Sequence, residues 1–248
     1  MQQPSSPSPV ALITGVSRRL GLGYAVAQEL AERGYYVLLT ARDVGQAQEL
    51  AADICHQKFA ADALALDLAD QSSIRALADR LGRDIDRLDV LVNNASAMPD
   101  FQVRSPLSAN MDVVRSIFAV SVFGTWELTQ ALLPLLRQAP AARIVNVSSA
   151  AAMQIMKPPH GPIFSPAYSL AKYALNGLTT MLATSLADTP ILVNAVDPGS
   201  VATHPERGDD AGDRSPAEAA KGVVWAATLG PDGPTGGFFH DGQPVVVR

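Results

Sequence analysis

The sequence predicts an α/β protein, a single domain built on a doubly wound parallel sheet of about seven strands with helices on both faces. Three observations predict it. Short β-rich runs alternate with longer stretches of helical period along the chain, and such alternation gives parallel strands joined by right-handed crossovers. A glycine-rich turn stands directly after the first of those runs, where folds of this kind hold phosphates. The 248 residues suffice for one sizeable core, and no internal repeat or Pro/Gly linker divides them.

The elements follow in order. Residues 10–14, Val-Ala-Leu-Ile-Thr, form a strand that is apolar almost throughout, as one buried on both faces must be. After the glycine turn comes a helix over 22–33. The strand at 35–40 ends in Leu-Leu-Thr, and Asp43 caps the helix over 45–57. A strand at 63–66 leads to a helix at 72–83, and a strand at 90–93 to a long helix at 111–136. The last pair of strands, 143–147 and 192–196, flanks a helix at 167–187. Two segments lack a clear period, 153–166 and 200–216. Both follow strand ends, where ligands bind in open α/β sheets, and they are the expected substrate walls.

Composition narrows the function. A net charge of −5 argues against a nucleic-acid partner. No uniformly apolar run approaches the ~20 residues that span a bilayer, because Ser121, Glu127, Gln130 and Pro134 interrupt the most apolar stretch, 117–136. Residues 1–9 read as a disordered tail of Gln, Ser and Pro without the regions of a signal peptide. Residues 10–248 read as the domain, with substrate loops near 151–166 and 200–216, and a cytoplasmic location is expected. Cys55 is the only cysteine, so no intrachain disulfide is expected. His56, His160, His204 and His240 lack ligand-like spacing, so no metal site is expected either.

Chemistry enters with Tyr168 and Lys172, nineteen and twenty-three residues after Ser149. Residues four apart share one helix face, which brings an ammonium beside a phenol. At about 4 Å and an effective dielectric of 20, that charge favours phenolate by on the order of 4 kcal/mol, roughly three pKa units. The phenol is thereby expected near the operating pH, where general acid–base catalysis works best.

The turn Thr14-Gly15-Val-Ser-Arg-Arg-Leu-Gly21-Leu-Gly23 joins a strand to a helix whose free N–H groups suit a pyrophosphate. At the tip of the second strand a free ribose hydroxyl wants a carboxylate, and a 2′-phosphate wants an arginine. Ala41 occupies that place, Arg42 follows, and Arg18 and Arg19 are expected to converge on the same phosphate. The cofactor expected is NADPH/NADP+ in preference to NADH.

These motifs, with Asp67, Asn93-Asn94-Ala95-Ser96 and Asp197-Pro198-Gly199, resemble in order and spacing the short-chain dehydrogenase/reductase family. Leu39-Thr-Ala-Arg-Asp, Leu88-Asp-Val-Leu-Val-Asn-Asn and Gly233-Pro-Thr-Gly-Gly-Phe-Phe look like its NADPH-dependent carbonyl reductase branch. The resemblance implies a Rossmann-type fold and assigns roles. Tyr168 is implied as proton donor, Lys172 as its electrostatic partner and ribose contact, and Ser149 as the hydrogen bond to the carbonyl oxygen. Cofactor contacts are implied at Gly15, Ser17, Arg18, Arg19, Gly21, Leu22, Arg42, Asp67, Leu68, Asn94 and Ala95. At the nicotinamide end they are implied at Tyr168, Lys172, Pro198, Gly199, Val201 and Thr203.

Four positions depart from the family pattern. The glycine loop is long, with five residues between Gly15 and Gly21. Ser96 stands where the family has glycine. The gap from Ser149 to Tyr168 is extended, which predicts a loop carrying Pro158, Pro159, His160 and Pro162 over the site. Ser121 replaces the asparagine that helps hold a relay water in the long helix. With a single donor, it is expected to slow proton resupply without abolishing it.

The reading that results is NADPH-dependent reduction of a ketone or aldehyde. The apolar residues at 150–156 and Ile163-Phe164 suit a small hydrophobic carbonyl compound, and His160 and His204 are candidate substrate contacts. Gly208, Gly212 and the acidic residues Asp209, Asp210 and Asp213 suggest a mobile polar lid. Alternatives are oxidation of an alcohol with NADP+ by the same residues, and an NADP(H)-binding sensor without turnover. Family members commonly associate, which implies a homodimer or homotetramer.

Overall fold

The computed structural model describes residues 8–156, 161–204, 206, 208 and 212–245. Six β/α pairs build most of it. They run β1 (Val10–Thr14), α1 (Leu22–Glu32), β2 (Tyr36–Ala41), α2 (Val44–His56), β3 (Ala61–Ala65) and α3 (Gln71–Asp84) in the first half. Then come β4 (Val90–Asn93), α4 (Met111–Phe118), a π turn (Ala119–Gly124), α5 (Thr125–Leu136), β5 (Arg143–Val147), the short α6 (Met153–Met156), α7 (Pro166–Ser185) and β6 (Leu192–Asp197). The chain closes with α8 (Pro216–Ala227), β7 (Phe238–His240) and β8 (Gln243–Pro244).

The strands form one eight-stranded sheet in the order β3-β2-β1-β4-β5-β6-β7-β8, parallel except for the antiparallel pair β7–β8. The expected doubly wound sheet is present, one strand larger than about seven. Alternate strand residues feed opposite cores, as the two-residue period requires. Ile13, Val37 and Leu39 pack with Leu30 of α1 and Val223 and Val224 of α8 on one face. Leu12, Leu38 and Leu91 pack with Ile74 of α3 and Leu128 and Leu132 of α5 on the other.

Local chemistry starts the helices. Asp43 accepts a hydrogen bond from the Gly45 N–H at α2, and Asp70 from the Ser72 N–H at α3. Asn110 accepts from the amides of Asp112 and Val113 at α4, and Ser215 and Glu218 form a reciprocal capping box at α8. Each such cap is worth about 1 kcal/mol.

The helix expected at 111–136 is one rod interrupted by the π turn. A Cβ on Gly124 would overlap the Leu68 carbonyl, so the rod crosses the loop after β3 in direct backbone contact. By length and a mean hydropathy of 1.2, Met111–Leu136 meets the composition of a bilayer span, a test that the core helix of a globular fold also meets. In the fold its Leu128, Leu132 and Leu136 are buried against the sheet.

Candidate active site

Strand order reverses between β1 and β4, and a cavity of about 790 Å³ opens there at the C-terminal ends of the strands. This is where an open α/β sheet binds ligands. Its floor is set by Thr14, whose buried Oγ1 accepts hydrogen bonds from the Asn94 N–H at 3.0 Å and the Ala95 N–H at 2.9 Å. Asn94 donates from Nδ2 to the Thr14 carbonyl at 2.7 Å. The glycines fit against these residues. A Cβ on Gly15, which has φ 73°, would stand 2.7 Å from the Ala95 Cα, and one on Gly23 would stand 2.6 Å from the Asn94 Nδ2. The glycine loop is thus locked to the Asn-Asn-Ala segment as well as shaped for a ligand.

Of the implied cofactor contacts, Gly15, Ser17, Arg18 and Leu22 line the cavity from the loop, and Arg42, Asp67, Leu68, Asn94, Ala95 and Thr203 line it from the other strand ends. Gly21 lies in the turn itself, its N–H donating to the Arg18 carbonyl at 3.0 Å. The three arginines do not all converge. Arg19 turns away to pair with Asp53 and to sit over the Tyr24 ring, because α2 presents a carboxylate there. Arg18 crosses the cavity mouth to Glu206 at 2.7 Å, and Glu206 also accepts from His204 at 3.0 Å. Those bonds hold the Glu206 carboxyl down at about 2. His204 therefore stands at the cavity rim.

Arg42 is exposed at the tip of β2 with no ion-pair partner among the described residues. The carboxylate of Asp43 beside it is turned to cap α2. Sequence reasoning passed over Gln46 and Val120, which also line the cavity. Gln46 lies in the first turn of a helix that Asp43 caps, and that cap was the available signal.

At the neighbouring strand ends, α7 carries Tyr168 and Lys172. Lys172 is 2% exposed and its Nζ donates to the Val147 carbonyl at 2.7 Å, lying 5.4 Å from the centre of the Tyr168 ring. Burial pushes this lysine down to about 8. Burial pushes the phenol up to about 12, with a hydrogen bond from Ser149 working the other way and the carboxylates of Asp197 and Asp100 adding to the rise. The expected drop in the tyrosine pKa is therefore reversed. Desolvation of the phenolate and two nearby carboxylates outweigh an ammonium that is itself desolvated and bound to a carbonyl.

Ser121 is buried in the middle of the π turn, with its Oγ 3.4 Å from the Ser96 Oγ. Two departures from the family pattern thus face each other. Asn93 belongs to the sheet. It ends β4 and donates from Nδ2 to Asn146 at 2.8 Å, and Asn146 donates to Thr179 of α7 at 2.8 Å, a buried ladder that ties α7 to the sheet.

Gly199 has φ 75°, and its N–H donates to Asp197 Oδ1 at 3.0 Å, while Arg214 donates to the Pro198 carbonyl at 3.2 Å. Val201 is bridged to Arg214. Pro198, Gly199 and Val201 so form a braced turn beyond β6 and do not line the cavity itself.

The extended segment before α7 is clamped by Gln154, which donates to the Phe164 carbonyl at 3.1 Å and accepts from the Phe164 N–H at 2.8 Å. Pro158, Pro159 and His160, like Asp209 and Asp210 of the expected lid and residues 1–7 of the expected tail, lie outside the described residues.

A doubly wound sheet with a glycine-rich loop at its switch point and a Ser/Tyr/Lys cluster alongside defines an α/β oxidoreductase. The chain belongs to the short chain dehydrogenase family, whose model matches residues 9–212. The 3-oxoacyl-(acyl-carrier-protein) reductase of rhamnolipid biosynthesis from Pseudomonas aeruginosa is 36% identical over 77% of this chain and 72% of its own. Carbonyl reductase (NADPH) 1 of Mus musculus is 31% identical over 96% of this chain and 98% of its own. A metagenomic short-chain oxidoreductase solved in complex with NADP superposes with a TM-score of 0.78 at 30% identity, covering 96% of this chain and 98% of that one.

Proposed function

We propose that this oxidoreductase uses NADPH to reduce the ketone or aldehyde carbonyl of a small hydrophobic molecule. The observation that carries the reading is the Tyr168 phenol set beside Ser149 and the buried Lys172, at the strand ends next to a cavity that offers Arg42 to a phosphate. A protonated phenol there is the acid that reduction of a carbonyl needs, and the same group is the base of the reverse reaction. The residues fit the phosphorylated cofactor. Among the described residues the tip of β2 offers a guanidinium without an ion-pair partner at Arg42, and the carboxylate of Asp43 is spent on a helix cap. NADPH supplies the hydride when bound, and related structures carry NADP or NADPH in their sites.

The chain's own residues would do the rest. Tyr168 donates its proton to the substrate oxygen, Ser149 hydrogen-bonds that oxygen, and the ammonium of Lys172, held by the Val147 carbonyl, faces the phenolate that the transfer leaves. Met98, Phe101 and Phe164 are exposed and give an apolar approach. The relatives that reduce carbonyl groups by name support the same reading. Exposed Met111, Phe123 and Trp126 on the long rod and Leu170, Tyr173 and Met181 on α7 support self-association as a homodimer or homotetramer, which light scattering measures.

Initial rates of NADPH and NADH consumption against aldehydes, aryl ketones, diketones and quinones test the proposal. Turnover with NADPH well above NADH, abolished in Tyr168→Phe, is the expected result. Preference for NADH overturns the cofactor reading, and NADPH binding without turnover favours the sensor.

A further inference from the structure

Nothing in the Tyr-x-x-x-Lys motif says what fixes the first turn of α7, and its local cap does not. Ser165, at the position before the helix, sits at φ 47° in the left-handed region and offers no side-chain cap. Pro166 has no N–H to satisfy. The next two donors, the amides of Ala167 and Tyr168, go to Oδ2 of Asp100, at 2.8 and 3.3 Å, from a loop 67 residues earlier in the chain. The Ser169 N–H closes the turn on the Ser165 carbonyl at 2.8 Å.

Asp100 is itself anchored. Its carbonyl accepts from the Val103 N–H at 2.9 Å, and the Val103 carbonyl accepts from the Ser165 N–H at 3.0 Å. The side chain is 3% exposed, and its Oδ1 has no hydrogen-bond partner.

We propose that Asp100 is the positioning residue for Tyr168: its carboxylate, bonded to the tyrosine's own amide, fixes the turn that carries the phenol and adds an acidic group to its surroundings. The inference rests on Tyr168 being the proton donor. Around the phenol stand Lys172 of α7, Ser149 after β5, Asp197 at the end of β6 and Asp100 after β4. Asp197 already serves the Gly199 turn with one oxygen, and Lys172 is engaged by Val147. Asp100 is the carboxylate that touches the tyrosine's own backbone. A negative charge there opposes ionisation of the phenol, and an acidic group at a helix N-terminus is stabilised by the helix dipole. One residue thus serves both to hold Tyr168 in place and to keep its proton on.

Two substitutions separate these effects. Asp100→Asn keeps an oxygen for both amides and removes the charge. Phenolate formation at Tyr168, read by ultraviolet titration as the signal missing from Tyr168→Phe, should move to lower pH. The alkaline limb of the kcat profile should move with it. Asp100→Ala removes the amide contacts as well, and kcat should fall about tenfold to a hundredfold with little change in the KM for NADPH. An unmoved titration in Asp100→Asn, or an unchanged kcat in Asp100→Ala, overturns the proposal. The titration needs no turnover, so wild-type protein without reductase activity would defeat the functional reading and still leave Asp100 to be decided.

Discussion

Among single residues, Lys172 shows how a buried charge is held for chemistry at the expense of stability. Its value falls from 10.5 in an exposed lysine to about 8, a cost on the order of 3 kcal/mol. Because the folded value is the lower one, the cost is present in full below pH 8 and is relieved as pH rises toward 10.5. Tyr168 runs the other way. Its value is raised from 10 to about 12, so its contribution holds below pH 10 and is lost as pH climbs through 12. Lys172→Met should therefore abolish turnover while leaving the denaturation midpoint at pH 7 undiminished, and its advantage over wild type should shrink between pH 8 and 10. A midpoint that drops at pH 7 would show that the bond to Val147 outweighs burial. At the other end of the cavity, Arg42→Ala should raise the KM for NADPH by about tenfold to a hundredfold and leave that for NADH nearly unchanged, the loss of a charge-assisted phosphate contact. The tyrosine–lysine pair was legible because helical spacing alone places residues 168 and 172 together. The raised phenol pKa was not, since it comes first from burial in the folded site and then from Asp197 and Asp100, which no local pattern around residue 168 announces.

At the level of elements, the strands at 10–14, 90–93 and 143–147 match the sequence reading to the residue, because fully buried strands are unbroken apolar runs. The rod at 111–136 was read at the right length but as regular helix. A π turn adds its wider loop without changing the residues that favour helix, so periodicity does not reveal it. Helix α8 was passed over even though Ser215 and Glu218 spell a capping box, because its alanines and valines are buried around much of its circumference and show no clean stripe. Strand β7 has three residues, too few for a period. The π turn carries Ser121 against Ser96, and here a prediction follows. Ser121→Asn alone brings a larger amide into a buried position already fitted to the Ser96 hydroxyl, and turnover should rise or hold only if Ser96 yields. Paired with Ser96→Gly, it should raise kcat above that of the single variant. A large loss in both would show that the two hydroxyls have a role of their own.

For the whole molecule, the sheet places every piece of the candidate site at one end, and that much was legible from the alternation of elements. What alternation could not supply was the way segments distant in sequence interlock there: Thr14 with Asn94, Asn93 with Asn146 and Thr179, Arg18 with Glu206. A ligand filling the cavity contacts several of these segments together and should stabilise the protein as a unit. At a hundred times its Kd, NADPH is expected to add about 2.7 kcal/mol, a rise in Tm of roughly 5–10 °C. NADH at the same concentration should give a smaller rise, and an equal rise would remove the selectivity assigned to Arg42.

The backbone contact between Gly124 and Leu68 carries the last consequence. Leu68 walls the cavity beside Asp67, and Gly124 closes the turn that holds Ser121. The two walls therefore share a hinge pin and are not separately adjustable. In evolutionary terms, change at the loop after β3 and change in the central rod are coupled inheritances. A chimera that imports residues 66–70 from a relative without its residues 119–125 should fold poorly, and one that imports both together should not.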